Sequence, residues 1–283
     1  MDVSIILVNY NTKDLTRNCI KSVYENTKGV EFEIIVVDNN SHDGSIEMIE
    51  HEFPEVKLIK NPENNGFGAA NNIAISQSNA KYVFLLNTDT LLIGNPIKYF
   101  FDYMEKEDNK NVAVCNGIMY HPDKTKFYLE FNFPFFIDLS AIFGKKEQDL
   151  SYDQEVDWAC GADFFVRKSV LDEVGTFDEN FFMYYEETDL CKRIKQHGYS
   201  IKFLSVDTII HFESSSIQCD KSINIKKLKI SSQSMYYYYK KHYGIWTTPA
   251  IMLTLSIFHI IKFIFTFNKD ELKKLYIKIN PYK

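Results

Sequence analysis

Apolar and polar positions along the first hundred residues alternate between two periods. Val3–Val8 is an apolar run of strand length, the pattern of a strand buried on both faces. Lys13–Glu25 then places Leu15, Cys19, Ile20 and Val23 at helical spacing. Glu33–Val37 predicts a second strand ending at the turn-rich DNNSHDGS, and a short helix leads to a third strand at Val56–Ile59. The stretch NPENNGFGAANNIAIS reads as a loop running into a helix, and KYVFLLN as the next strand. Strands separated by helices of this length imply right-handed crossovers and a mostly parallel sheet, the α/β class. Ligands of such sheets bind beyond the carboxyl ends of the strands.

Three polar clusters fall at those carboxyl ends: Asn9–Tyr10–Asn11, Asp38–Asn39–Asn40 and Asn87–Thr88–Asp89. Any one of them alone is ordinary turn chemistry. Three on one edge of one sheet point to a binding site.

Beyond Asn111 the alternation loosens. NVAVCNG reads as a strand, and Asp123–Asp153 is aromatic and irregular. VDWACGADFFVRKSVL resembles a strand entering a helix, EETDLCKRIKQHG an amphipathic helix ended by Gly198, and SIKFL a strand. One domain is expected to span residues 1–220, with a basic helical extension over 221–283.

Charge sharpens that division. The net charge of −6 conceals twelve lysines against Asp270 and Glu271 from Lys221 onward, a balance of +10, so the preceding residues carry −16. The extension also contains IWTTPAIMLTLSIFHII, seventeen residues without Lys, Arg, Asp or Glu. Apolar sequence flanked by lysines suits an anionic membrane surface. Pro249, His259 and Lys262 interrupt it, which favours a helix lying in the interface over one that crosses. Only three arginines in the chain argue against a nucleic-acid partner. Five cysteines without a close CxxC pair argue against a disulfide framework or structural zinc, and the N-terminus lacks a signal-peptide pattern. A cytoplasmic setting is expected from both.

Candidate chemistry lies in carboxylates. Asp89 ends an apolar strand, and with the distant His211 it offers ligands for Mg²⁺ or Mn²⁺. Each also has a plain structural reading, as a capping Asp and a satisfied histidine. Glu186, Glu187 and Asp189 crowd the start of the amphipathic helix, behind Phe177, Phe181, Phe182, Tyr184 and Tyr185. Acids in a first helical turn gain from the helix dipole; apolar surroundings and like charge also raise a carboxylate's pKa and make a general base. The aromatic wall, with Trp158, Gly161 and Ala162, could form an acceptor pocket that Tyr185 and Asp189 border. GxGxxG after the first strand, GxxxxGK[ST] and GxSxG are all absent, which argues against a dinucleotide fold, a P-loop and a serine hydrolase.

Taken together, SIILVNYN, IIVVDNNSHDGS, NNGFGAANNIAI, FLLNTDT, WACGADFFVRKSVLDEVGTFDENFFMYYEETDLCKRIKQHGY and IIHFESSS resemble the inverting family 2 glycosyltransferases of GT-A fold, in their rhamnosyltransferase-like bacterial branch. The pieces occur in the family's order and cover most of residues 3–216. The resemblance implies that Asn9, Tyr10 and Asn11 hold the nucleotide, that Asp38 contacts its base, and that Asn65, Gly66 and Asn72 pack against nucleoside and diphosphate. Asn87–Thr88–Asp89 takes the place of the family's DXD motif, with Asp89 and His211 on the metal. Glu187 stands at the general base and Glu186 orients the acceptor. Two departures stand out: Asn87 where the motif begins with Asp, and Glu187 where Asp is usual. The implied activity is transfer of a sugar from a nucleotide donor, dTDP-rhamnose or a UDP-sugar, to a glycan hydroxyl; the basic, apolar extension points to an acceptor glycan carried on a polyprenyl diphosphate, at the inner face of the cell membrane. The alternatives are a non-catalytic nucleotide- or glycan-binding relative and a nucleotidyltransferase; LVNYNTKD lacks the phosphate loop of the latter. A homo-oligomer is left open.

Overall fold

A computed structural model describes residues 1–127, 131–134, 148–212 and 224–282. The expected boundary at 220/221 and the end of the HFESSS stretch lie outside the described residues.

The strands are β1 (Val3–Asn9), β2 (Phe32–Asp38), β3 (Lys57–Lys60), β4 (Tyr82–Leu86), β5 (Thr90–Leu92), β6 (Val112–Tyr120), β7 (Gln154–Val156), β8 (Asp163–Arg167) and β9 (Ser200–His211). They form a sheet in the order β3-β2-β1-β4-β8-β6-β9-β5, with β7 paired to β9. Helices α1 (Lys13–Asn26), α2 (Ser45–Glu52) and α3 (Phe67–Ser76) make the crossovers, and α4 (Pro96–Glu105), α5 (Lys168–Val174) and α6 (Glu186–Gln196) follow. The apolar residues of β1 are buried almost without break because β2 and β4 flank it and helices cover both faces.

β3, β2, β1 and β4 are mutually parallel, as the crossover spacing predicts. Beyond β4 the sheet is mixed: β8 runs antiparallel to both β4 and β6, whereas β6 and β9 are parallel. This reversal has a consequence for the site. The amino end of an antiparallel β8 lies beside the carboxyl end of β4, with Asp163 opposite Leu86. A second long-range pairing sets Thr90 of β5 against His211 at the end of β9.

The C-terminal residues form α7 (Ile225–Tyr243), α8 (Thr247–Thr266) and α9 (Lys269–Ile279). Asn224 caps α7, its side chain accepting from the Lys227 amide at 2.9 Å. Tyr236, Tyr238 and Tyr239 of α7 bury themselves with Phe181 and Ile251 in a second, smaller core. Pro249 does not break α8: it is the third residue of the helix, where a missing amide costs nothing. Among the described residues α8 is the one helix long and apolar enough to cross a membrane. His259 does not face its apolar side. It is buried against α9, with Nδ1 2.9 Å from the Glu271 carboxylate, which also accepts from Lys274 at 3.0 Å. The opposite face of α8 leaves Leu253, Ile257, Ile261 and Ile264 open, and Trp246 and Phe265 are more than 80% exposed.

Candidate active site

The parallel register aligns Asn9 with Asp38 at the carboxyl edge. The Asn9 amide nitrogen donates to Asp38 Oδ2 at 2.6 Å, and the other Asp38 oxygen accepts from the Ser41 amide at 2.9 Å. Asn9 Oδ1 accepts from the hydroxyls of Thr12 and Thr16, both at 2.7 Å, and Thr12 lies 3.1 Å from the Thr88 hydroxyl. Asn9, Asp38 and Thr88 are therefore joined by one hydrogen-bonded chain. Asn9 and Asp38 are buried and bonded to one another, so they form a framework at this edge. Tyr10 and Asn11 are the exposed members of the cluster, and Asn11, in left-handed backbone, accepts from the His42 amide at 2.8 Å. That bond holds the β1 and β2 turns against each other.

The loop before α3 is set by close approach of two backbones. Gly66 has φ +94°, and a Cβ there would lie 2.2 Å from the Phe182 carbonyl oxygen. The adjacent Phe67 amide donates to that same carbonyl at 3.0 Å. Gly66 thus docks the α3 loop on the segment that carries the acids, while Asn65 stays exposed beside it. Gly66→Ala is expected to cost about 1–3 kcal/mol through this overlap, and thermal unfolding of the variant checks it; an unchanged melting temperature would contradict the docking. Asn72 corrects an expectation. Its amide donates to the Phe177 carbonyl at 2.9 Å and to Glu179 at 3.0 Å, and its oxygen accepts from the Phe177 amide at 3.0 Å. A side chain so fully used clips α3 to the 177–179 loop and has nothing left for a diphosphate.

Asp89 and His211, 122 positions apart, meet because β5 pairs with the end of β9. Asp89 Oδ1 lies 3.1 Å from His211 Nε2, and the Asp89 carbonyl accepts from the Phe212 amide at 2.9 Å. The imidazole stacks on Phe127, and its Nδ1 is buried without a partner among the described residues. One carboxylate and one imidazole fit a divalent cation that takes its remaining ligands from water and substrate phosphate. They do not make a protein-built cage, since no group of three or more His, Cys, Asp or Glu suited to a metal occurs among the described residues. Asn87 is partly buried, its carbonyl accepting from the Thr90 hydroxyl at 2.7 Å and its amide donating to the Ala162 carbonyl at 3.4 Å.

Facing this edge is the start of α6. Tyr184 and Tyr185 have φ of +70° and +71°, two successive non-glycine residues in the left-handed region, and α6 begins directly after them with Glu186 and Glu187. Glu186 is 3% exposed and packs against α3, its Cβ 3.7 Å from where a Gly68 Cβ would stand. Glu187 lies nearer the opening, beside Gly161, which also borders Phe67. Burial raises the Glu187 pKa to about 7. Burial, reinforced by the Glu187 charge, holds Glu186 well above the ordinary carboxylate value. Each retains one buried carboxyl oxygen without a hydrogen-bond partner among the described residues. Such a pair can hold and release one proton near neutral pH.

The remaining acceptor-side candidates divide. Trp158 is partly exposed, its indole donating to the Asn132 carbonyl at 3.2 Å, and the ring of Tyr185 packs tilted against Tyr238 at 5.3 Å between centroids. Ala162 is buried at the edge of the sheet. Asp189 is not an acceptor contact: it is fully buried, and Arg193, Lys241 and His242 occupy its oxygens at 2.7–2.9 Å. One residue was overlooked in the sequence. Asp163, fully buried, accepts from the Gly117 amide at 2.9 Å and the Thr208 hydroxyl at 2.8 Å, and burial raises its pKa to about 6. A charge-bearing residue between small residues and an apolar strand, in GADFFV, was the available signal. It ties β8, β6 and β9 together just below the site. A shallow recess lined by Ser78, Lys81, Arg167 and Lys168 lies at the other end of β4 and holds none of these residues.

A half-parallel sheet with polar clusters on its carboxyl edge, an Asp–His pair and a facing pair of buried acids defines a glycosyltransferase of GT-A type. Residues 4–175 match the sequence profile of Glycosyl transferase family 2, and the chain belongs to that family. It is 29% identical over 218 residues to the low-salt glycan biosynthesis hexosyltransferase Agl10 of Haloferax volcanii, covering 74% of this chain and 67% of that protein. Over 242 residues it is 24% identical to the N-acetylglucosaminyl-diphospho-decaprenol L-rhamnosyltransferase of Mycobacterium tuberculosis, covering 76% of this chain and 77% of the relative, which places it in the rhamnosyltransferase-like branch. The fold is similar to that of S. aureus TarS 1–349 in complex with UDP, with a TM-score of 0.57 at 15% identity over 92% of this chain and 80% of that one. Against the longer TarS chain it covers 49% of the length.

Proposed function

We propose that this glycosyltransferase transfers a hexose, rhamnose or a UDP-borne sugar, by a single in-line displacement that inverts the anomeric centre. The buried acid pair at the start of α6, facing the strand-end edge, carries this reading. Glu187 takes the proton of the acceptor hydroxyl, because burial leaves its carboxylate basic enough to hold that proton near neutral pH. Glu186, kept protonated behind it, presents a hydrogen bond and no second charge. The donor nucleotide lies on the carboxyl edge, against Tyr10, Asn11, Asn65, Asn87 and Thr88, over the Asn9–Asp38 framework. Asp89 and His211 would hold Mg²⁺ or Mn²⁺, which neutralises the charge of a departing diphosphate when bound.

The acceptor in this reading is a glycan on a polyprenyl diphosphate. The M. tuberculosis relative, named for a diphospho-decaprenol substrate, supports it, as does the open face of α8. That helix keeps one side against α9 through the His259–Glu271 pair and turns the other, apolar side outward. An apolar side of this kind beside Lys262, Lys269 and Lys273 fits a helix lying in an anionic interface, which supports the reading of a peripheral enzyme at the inner face of the membrane. The joint replacement of Ile257, Ile261 and Phe265 by Glu is expected to abolish sedimentation with anionic phospholipid vesicles while leaving soluble-donor binding intact. Undiminished sedimentation would refute the role of α8. The chemistry itself is tested by transfer from a panel of nucleotide sugars; a folded protein that binds nucleotide without turnover would favour the non-catalytic alternative.

A further inference from the structure

The acid pair sits inside a short segment whose two ends are fastened to one C-terminal helix. Lys241 of α7 reaches both: its ammonium is 2.7 Å from Asp178 Oδ2 and 2.7 Å from Asp189 Oδ1. Further contacts reinforce each end. Tyr237 donates to Asp178 at 2.9 Å, His242 Nε2 lies 2.7 Å from Asp189 Oδ1, and Arg193 donates to Asp189 Oδ2 at 2.9 Å. Between the two ends, Ser234 of α7 donates to the Met183 carbonyl at 2.8 Å, and Phe181 is fully buried against Tyr237 and its neighbours. Burial favours a neutral Asp189, but bonds from His242, Lys241 and Arg193 outweigh it and hold its carboxyl below the usual range. An ionised, fully buried carboxylate that meets an ammonium, a guanidinium and an imidazole is a fixed point in the structure.

What lies between the fixed points is strained. Tyr184 and Tyr185 both occupy the left-handed region, a conformation that persists only where surrounding contacts over-determine it. The very next residues are Glu186 and Glu187, and the Asp189 amide closes the first turn of α6 on the Tyr185 carbonyl at 2.8 Å. The direction of the Glu187 carboxylate is therefore set by a backbone that α7 holds in place.

We infer that Lys241 of α7 is a positioning residue for the catalytic acid pair, acting through Asp178 and Asp189, so that α7 belongs to the active site and not to a detachable extension. This rests on Glu187 being the base for sugar transfer. The clamp also explains why a helix in the basic extension turns Lys241 toward Asp178 and the buried Asp189 of the catalytic domain.

The test uses the full-length chain and the variants Lys241→Met, Lys241→Arg and Glu187→Gln, with hydrogen exchange, nucleotide binding and transfer kinetics on each. In Lys241→Met, exchange is expected to accelerate over residues 182–190 and stay unchanged in β1 and α3. Its kcat is expected to fall roughly 10- to 100-fold from misplacement of the base, with donor KM and nucleotide affinity unchanged and most of the rate recovered in Lys241→Arg. Unaltered exchange over 182–190 overturns the clamp whatever the activity. So does accelerated exchange with wild-type kcat, or a loss shared equally by kcat and donor affinity. Should Lys241→Met fail to fold, Ser234→Ala removes the Met183 bond alone and is read in the same way. A Glu187→Gln enzyme of full activity would instead refute the base assignment, while the exchange result still decides whether α7 holds the segment.

Discussion

Replacing Glu187 by Gln is expected to slow sugar transfer by about 10²–10⁴-fold, the usual cost of losing a positioned base, with nucleotide binding nearly unchanged. The substitution is close to isosteric and leaves the left-handed turn at Tyr184–Tyr185 in place, so the loss reports on proton transfer and not on packing. The wild-type rate is expected to depend on pH in the same way. Only the ionised carboxylate accepts a proton, so turnover is expected to rise with pH through about 7 and to fall below it. Stability runs in the opposite direction. The folded state holds the Glu187 proton more tightly than the unfolded chain, whose ordinary value is 4.5, so this group makes folding less favourable as pH rises from about 4.5 through about 7. Glu187→Gln is therefore expected to melt higher than wild type at pH 8, and the difference to vanish below the unfolded value. Equal melting temperatures at pH 8 would show that the carboxyl is not held neutral by burial.

The second large effect concerns Asp89. It is expected that Asp89→Ala will weaken binding of a nucleoside diphosphate in the presence of Mn²⁺ by at least 10- to 100-fold, on the order found when metal-site partners are removed. The pairing of β5 with β9 sets His211 against that carboxylate across 3.1 Å. One imidazole without the acid gives a divalent cation little reason to stay. Calorimetry with UDP, dTDP and GDP, with and without Mn²⁺, separates the outcomes. Binding to wild type that needs Mn²⁺ and is lost in the variant supports the shared-cation reading. Equal affinity with and without the ion would mean that Asn87, where the family pattern has an acid, marks a site that binds its donor without metal.

Period and order along the chain made much of this legible. An apolar run followed at once by Asn9, Asp38 or Asn87 is a strand ending at an edge, and the crossover rule brings the three ends together. The acids at Glu186 and Glu187 were legible too, since the aromatic residues before them predict burial. Tertiary pairing was not. Asp89 and His211 were joined by the family resemblance and not by any local pattern, because a three-residue strand at Thr90–Leu92 leaves almost no periodic signal. Asp189 resembled its neighbours in sequence, although Arg193 four residues on is the spacing of a helical ion pair and hinted at its real partner. Asn72 looked like a phosphate contact until both ends of its amide were found on the 177–179 loop. The left-handed tyrosines had no signal at all, since nothing about Tyr favours that backbone. His259 and Pro249, which interrupt an apolar run in the sequence, sit where the helix tolerates them: one faces α9 and the other lies in the first turn.

The most direct test of the central claim is the stereochemistry of transfer. Wild-type enzyme is incubated with dTDP-rhamnose and a panel of UDP-sugars, together with a polyprenyl-diphosphate-linked acceptor, and the anomeric configuration of the product is read by NMR. One donor is expected to react and to give a linkage inverted relative to the sugar nucleotide, as a single displacement assisted by Glu187 requires. A retained configuration, or no transfer from any donor by folded protein that binds nucleotide, would contradict it.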